Sequence, residues 1–434
     1  MPPGQLIEGL APLVTTFGIR RRLERGLRVS LFVSLCSILM FGPLALGGVQ
    51  DWSTAVFEIA SAALLLLWMT WQLTGGEVAI RWSPLFGPML AFFGVVLVQI
   101  AFHRTAYSYD SLSELWLLIA YGILTFAAAQ MVQSDEGFVL RFGKTMAGFG
   151  ALYAVFAVLQ SFTSDGKIYW RITPRAGNIY GSYVNHNHYA GFVELILPTA
   201  MVLAFNGSVR GAKRVLLVFG AMLMAASVFL CQSRGGMFAV TVETAFLVVF
   251  WMRQFSARKS AAAFVLFCLV TALFLAWIAP QQLGARMTDT HDPARWLIHR
   301  DSVRMFAAHP ILGSGLGTFA TVFPRYRTFY DRFLINYAHD DYLQLLLETG
   351  MVGFGIGVWF LVVLFREGLR NLRPARVSPA AAASTAALAG CIGLLAHSFM
   401  DFNLHIPANA ALFYVLCAVA TSPVAARIRN GCNG

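Results

Sequence analysis

Residues 20–49 read RRRLERGLRVSLFVSLCSILMFGPLALGGV. Arg20, Arg21, Arg22, Arg25 and Arg28 come first, and an apolar run from Val29 to Val49 follows. A helix needs about 20 apolar residues to cross the hydrocarbon of a bilayer. This run is too long for the core of a signal peptide, so it predicts an uncleaved first membrane helix.

The same reading extends outward along the chain. Of 434 residues, 58% are hydrophobic and 12% charged, about half the charge of an ordinary soluble domain. One water-soluble core cannot hide that much apolar chain. Further runs lie at 55–73, 84–102, 112–131, 145–163, 186–205, 213–231, 235–252, 260–280, 339–365, 379–399 and 404–422. Lipid-exposed backbone must satisfy its own hydrogen bonds, so each run is expected to be a helix. The prediction is an all-α polytopic membrane protein with about twelve transmembrane helices.

The net charge of +11 would suit a nucleic-acid binder. In a membrane chain the same excess is the positive-inside signal, so no nucleic-acid partner is expected. With the N-terminus in the cytoplasm, Arg81, Arg141, Lys144, Arg210, Lys213 and Arg214 fall on the inner side. Arg253, Arg258, Lys259, Arg366, Arg370, Arg373, Arg376, Arg427 and Arg429 join them there. The short outer loops keep only Arg104 and Arg234. Both ends are therefore expected inside.

The implied organisation is a basic segment 1–28, nine helices over 29–280 with an outer loop at 164–185, and a large outer loop 281–338. Three helices over 339–422 and a tail 423–434 follow. Cys36, Cys231, Cys268, Cys391 and Cys417 sit in apolar runs, Cys432 in the tail, and no C-x-x-C pair occurs. They read as small core- or lipid-facing residues, neither metal ligands nor a disulfide frame.

The outer loops hold the residues not needed for spanning, where chemistry usually collects. Asp292-Pro293 predicts a helix start and Pro310 a stop. At 100° per residue Arg295, His299, Ser302 and Phe306 share one face, with Trp296 and Val303 on one flank, Ile298 and Met305 on the other, and Arg300, Asp301 and Arg304 opposite, toward water. A cation central in such a stripe calls for an anionic partner, a ligand phosphate or an arrangement that lets it snorkel out. Gly313, Gly315 and Gly317 have neither a strand before them nor a helix opening at them, so they are a turn and not a dinucleotide loop.

His339-Asp340-Asp341 leads into the tenth run. Histidine titrates near neutrality and can take a proton from a hydroxyl; an interfacial histidine bonded to a carbonyl or to an Asp fits the same position. Neighbouring residues on a helix point to different sides, which makes a poor chelating face, and no metal is expected. His186 and His188, with Asn185 and Asn187, suit sugar or phosphate hydrogen bonding better than metal. His397 and Asp401 form an i,i+4 pair near the outer end of the eleventh run, read as a structural pair, with bracing of the site as the alternative. His103 and His405 carry no motif context and are expected to tolerate substitution.

Taken in order, four patterns resemble the O-antigen ligase family, whose superfamily includes O-antigen polymerases and pilin oligosaccharyltransferases. They are Arg175 to Gly181 with Asn185 to Gly191, Gln232-Ser-Arg-Gly-Gly236, Arg295 with His309 to Phe319, and His339 with Gly350. The resemblance spans about residues 30–422. It implies a glycosyltransferase fold of the GT-C type and His339 as the catalytic residue. Arg175, Asn187, His188, Arg234, Arg295 and His299 would bind pyrophosphate or sugar.

The implied reaction is an inverting, cofactor-free transfer on the periplasmic face of the bacterial inner membrane. A glycan would pass from undecaprenyl pyrophosphate to lipid A–core, with membrane lipids as surroundings. Position 299 is His where ligases commonly carry Leu, and a polymerase extending the glycan on its own carrier stays open. A secondary transporter or flippase is the alternative of another class; Glu58, Glu194 and Glu243 are the helix acids it would use. The loop cations Arg175, Arg234 and Arg295 are expected to line one basic outer cavity.

Overall fold

The computed structural model describes residues 3–75, 78–135, 137–175, 177–205, 209–254, 293–330, 334–372 and 379–422. Helices fall on every predicted run that lies within the described residues. They are α1 (Pro3–Leu44), α2 (Asp51–Gly75), α3 (Phe86–Ala101), α4 (Ser108–Ser134), α5 (Phe138–Thr163), α6 (His186–Phe205), α7 (Ala212–Leu230) and α8 (Arg234–Gln254). The loop contributes α9 (Pro293–Ala308) and a single turn, α10 (Phe319–Val322). The bundle closes with α11 (Asp341–Asn371), α12 (Pro379–His397) and α13 (Pro407–Thr421). The run 260–280 and the expected cap Asp292 lie outside the described residues.

Among the described residues 7 helices are long and apolar enough to cross a membrane. Three further apolar helices, Phe86–Ala101, Ala381–His397 and Pro407–Thr421, are shorter. No strand forms among the described residues; isolated bridges at Ile168–Ile172 and Tyr180–Tyr183 stitch the 164–185 loop. Large aliphatic side chains stand on the outside of the bundle, including Leu66, Leu152, Val215 and Leu216, each at least 64% exposed. A continuous apolar exterior of this kind belongs in lipid. The chain is an all-helical, multi-pass membrane protein.

Helix α6 is the axis, with 94% of its apolar window buried by packing against α5, α7, α8, α12 and α13. Small residues let the backbones approach, as membrane helices require in the absence of a hydrophobic drive between them. On α12 the run Ala381, Ala382, Ala383, Ala386, Ala387 and Ala389 is buried. A Cβ at Gly390 would meet the Leu195 backbone of α6, and one at Gly236 of α8 would meet Ala190.

The glycine turn after α9 docks into a break in α11. Gly350 holds φ 63 and ψ −167 inside that helix, a conformation open essentially only to glycine. Interrupting the helix orphans backbone groups on both sides of the break. The turn supplies their partners: Ser314 N–H donates to the Leu347 carbonyl at 3.1 Å and Gly315 N–H to that of Glu348 at 2.9 Å. Below the break Met351 N–H donates to Pro310 O and Val352 N–H to Ile311 O. Gln99 of α3 donates to the Leu312 and Glu348 carbonyls, and the buried Glu348 carboxylate accepts from Gly317 and Phe319 N–H. The turn predicted from its glycines is thereby fixed to the membrane helix that carries His339 at its head.

Candidate active site

His339 is the residue before the helix cap. Asp340 caps α11, accepting from Tyr342 N–H at 2.9 Å and Leu343 N–H at 3.0 Å. His339 itself takes φ 56, in the left-handed region, a strained conformation for a non-glycine residue. That twist turns its ring away from α11 toward the link between α12 and α13, where Nδ1 lies 3.6 Å from Asp401 Oδ1. The separation is an electrostatic contact and too long for a hydrogen bond. Nδ1 is buried while the side chain as a whole is 32% exposed.

Asp401 is fully buried and gathers residues from three parts of the chain. Asn187 Nδ2 donates to Oδ2 at 2.5 Å, Phe402 N–H donates to Oδ1 at 2.9 Å, and His188 Nε2 lies 3.8 Å from Oδ1. The Phe402 ring packs edge-on against both imidazoles, 4.7 Å from His188 and 5.1 Å from His339, and stacks on Tyr337. Burial alone would raise the Asp401 carboxyl, but His188 and His339 hold it well below the usual carboxylate range. A buried, ionised carboxylate beside two imidazoles can orient a ring and balance positive charge that develops on it.

Four of the sequence-predicted residues adjoin this group. Asn187 and His188 touch Asp401 directly. Arg295 Nη1 donates to the Met400 carbonyl at 2.5 Å, one residue from Asp401, and His299 Nε2 lies 3.1 Å from the Ala338 carbonyl, one residue from His339. Arg234 heads α8 with its side chain exposed; a Cβ on the next residue, Gly235, would strike the His397 ring. Arg175 stands exposed on its loop, and no described hydrogen bond or ion pair joins it to His339.

Two cavities adjoin the cluster, and neither of these two is lined by Arg175, Arg234 or Arg295. One, of about 190 Å³, is apolar, with Glu114, Asp341 and His405 at its polar end. The other, of about 440 Å³, is bounded by Asn178, Tyr180, His186 and Gln232. The described parts of the two loops rest on different helices. The 164–185 loop ties to α1 and α13 through Tyr169 O–H on Leu44 O and Tyr183 O–H on Asn409. The glycine turn sits instead on α3 and α11.

Three expectations are corrected. The buried face of α9 carries Ile298, Asp301, Ser302 and Met305, while Trp296 and Val303 are 65% and 64% exposed. Asp301 does not meet water: it accepts from Thr328 N–H at 2.7 Å and from Arg300, and these donors hold it below the usual range despite burial. His397 does not pair with Asp401, because α12 ends there and the i,i+4 relation is lost. Its Nδ1 lies 3.1 Å from both Glu194 carboxylate oxygens instead.

Finally, His405 is structural and committed. Its Nδ1 lies 2.8 Å from the buried Asp341, which also accepts from Ser398 O–H and Leu404 N–H. Burial would lower His405, but Asp341 raises it to about 9. His339, Asp340 and Asp341 thus aim at three separate partners. Among the described residues no group of three or more His, Cys, Asp or Glu side chains is placed to hold a metal ion. The residue that sequence reasoning undervalued is Asp401, whose only signal was its spacing from His397.

Residues 219–358 match the O-antigen ligase family model. The matched stretch contains Arg234, Arg295, His299, the glycine turn and the His339–Gly350 pair. Three of the four motifs lie within it, and the motif from Arg175 to Gly191 lies outside it. No curated protein matches the chain.

Proposed function

We propose that the chain is a membrane glycosyltransferase of the O-antigen ligase and polymerase superfamily. In its leading form it is the ligase that moves a glycan from undecaprenyl pyrophosphate to lipid A–core. The observation that carries this is the Asp401 cluster, with His339 facing outward at the head of α11 inside the matched segment. On this reading the cluster lies on the periplasmic face of the inner membrane, both termini are cytoplasmic, and about twelve helices form a GT-C-type architecture.

The chemistry follows from the groups. His339 Nε2 takes the proton of an acceptor hydroxyl while the Asp401 carboxylate stabilises the resulting imidazolium. The acceptor oxygen bonds to the anomeric carbon from the face opposite the pyrophosphate, which inverts the configuration. The glycosyl–phosphate C–O bond breaks, and its electron pair leaves on undecaprenyl pyrophosphate. Arg295, with Arg234 and Arg175 from neighbouring segments, grips the diphosphate and offsets its charge. Asn187, His188 and His299 hydrogen-bond sugar or phosphate. The apolar cavity ending at Asp341 and His405 suits a substrate that is part lipid and part polar.

A polymerase uses the same steps with a glycan as acceptor, and His at position 299, where ligases commonly carry Leu, is the feature that keeps it open. Purified protein supplied with undecaprenyl-pyrophosphate glycan and either lipid A–core or a second carrier-linked glycan separates the two. Product on lipid A–core alone identifies the ligase. Chain extension alone identifies the polymerase, and release of neither product rejects the transferase reading.

A further inference from the structure

A second built site lies at the opposite end of the bundle. Between Arg28 and Leu44, helix α1 rises roughly 24 Å at 1.5 Å per residue, nearly the depth of a bilayer core. At its basic end a cavity of about 480 Å³ opens between α1, α2, α4 and α5. We propose that this cavity binds the phosphodiester headgroup of an anionic phospholipid.

The charge and its arrangement carry the inference. Arg25 and Arg28, one turn apart on α1, and Arg141 in the first turns of α5 line the cavity, with Asp135 as its one acid. Two of these guanidiniums are braced by aromatic faces: Arg28 lies 5.5 Å from the Trp71 ring centroid and Arg141 5.8 Å from that of Phe32. Stacking holds a planar cation flat and leaves its edge N–H groups to donate. Asp135 is already engaged, pairing with Arg141 and accepting from Gly137 N–H at 2.9 Å. It neutralises one cation and leaves two. Arg81 adds a further charge at the rim, where it donates to Ser134.

Beneath the cations the walls are apolar, with Leu31, Phe32 and Met131. A cationic rim over an apolar floor at a membrane edge matches a phosphodiester attached to acyl chains. Basic pockets between membrane helices bind anionic headgroups in this way. A soluble phosphate would use the rim and gain nothing from the floor.

The test uses the full chain in neutral detergent, with retained lipid measured by native mass spectrometry. Dioleoyl-phosphatidylglycerol should be retained and dioleoyl-phosphatidylcholine lost. Arg28→Gln with Arg141→Gln should weaken phosphatidylglycerol retention about tenfold or more. Arg21→Gln with Arg22→Gln removes the same charge from α1 outside the cavity and should change it by under about twofold. Lipid-free unfolding midpoints show first that both pairs fold; if the cavity pair does not, Arg25→Gln against Arg21→Gln makes the same comparison. Equal retention of the two lipids, or equal weakening by the two substitution pairs, overturns the proposal. Displacement of the lipid by an equal concentration of glycerol 3-phosphate also overturns it, assigning the site to a soluble anion.

Discussion

His339 and Asp401 meet at 3.6 Å across two separate turns of the chain, and His339 adopts φ 56 to reach that position. The carboxylate is buried and the imidazole is one-third exposed. One partner is therefore held within the protein and the other is open to a substrate. The strain at His339 sits where a functional ring must be aimed away from its own helix.

His339→Ala and His339→Gln should lower glycan transfer by about 10²- to 10⁴-fold, the usual contribution of a general base. Donor binding should persist, since the proposed function assigns the pyrophosphate to the arginines. Transfer and donor binding measured separately on purified protein check this. Normal transfer would move the role to His188 or His299, and loss of donor binding would make His339 a phosphate ligand.

Asp401→Asn keeps the shape and removes the charge. Turnover should fall by about tenfold or more, within the general-base range, while KM for the donor stays near wild type. A stability signature accompanies it. The native carboxyl is held low, so its contribution is present above about pH 4 and is lost as pH falls through the native value. Acid unfolding should therefore be less steep in Asp401→Asn than in wild type. Identical acid limbs would show that the carboxylate is not held low.

His405→Ala breaks a bond to a buried carboxylate and should cost about 3–5 kcal/mol. In wild type the raised histidine stabilises fully below about pH 6.5. That contribution is lost as pH rises through about 9. Unfolding midpoints between pH 6 and 10 should fall in wild type and stay flatter in His405→Gln. A neutral His405→Ala would restore the expectation that this position is tolerant.

Gly350→Ala should cost about 2 kcal/mol or more, because a Cβ there would strike the Ile311 carbonyl. Gly355 lies in the same helix with nothing within 4 Å of a Cβ. Its alanine variant should be neutral or stabilising by up to about 1 kcal/mol. Thermal unfolding of the pair reads the difference, and equal midpoints would mean the break in α11 is not required.

Transfer should continue in EDTA, because His339, Asp340 and Asp341 are turned to separate partners. Loss of activity in chelator, restored by one divalent ion, would make them ligands after all.

The sequence by itself determined the helices, since a lipid-facing backbone has no other way to satisfy its polar groups and the apolar runs mark their positions. His339, the Arg295 helix and the glycine turn were legible for a related reason. Each sits beside local signals, a cap, a proline or a glycine, that act within a few residues. Which side chains meet was decided by tertiary structure alone. Asp401 and His405 read as one half of a structural pair and a bystander because their partners, His339 and Asp341, lie on another helix. Periodicity gives the face of a residue on its own helix and nothing about the depth or rotation of the neighbour. The same limit turned the α9 stripe toward Ile298 and Met305: its own periodicity allowed several faces, and packing against α11 chose one. The Gly350 break shows the converse, a local conformation that exists because a distant loop supplies the hydrogen bonds the helix gives up.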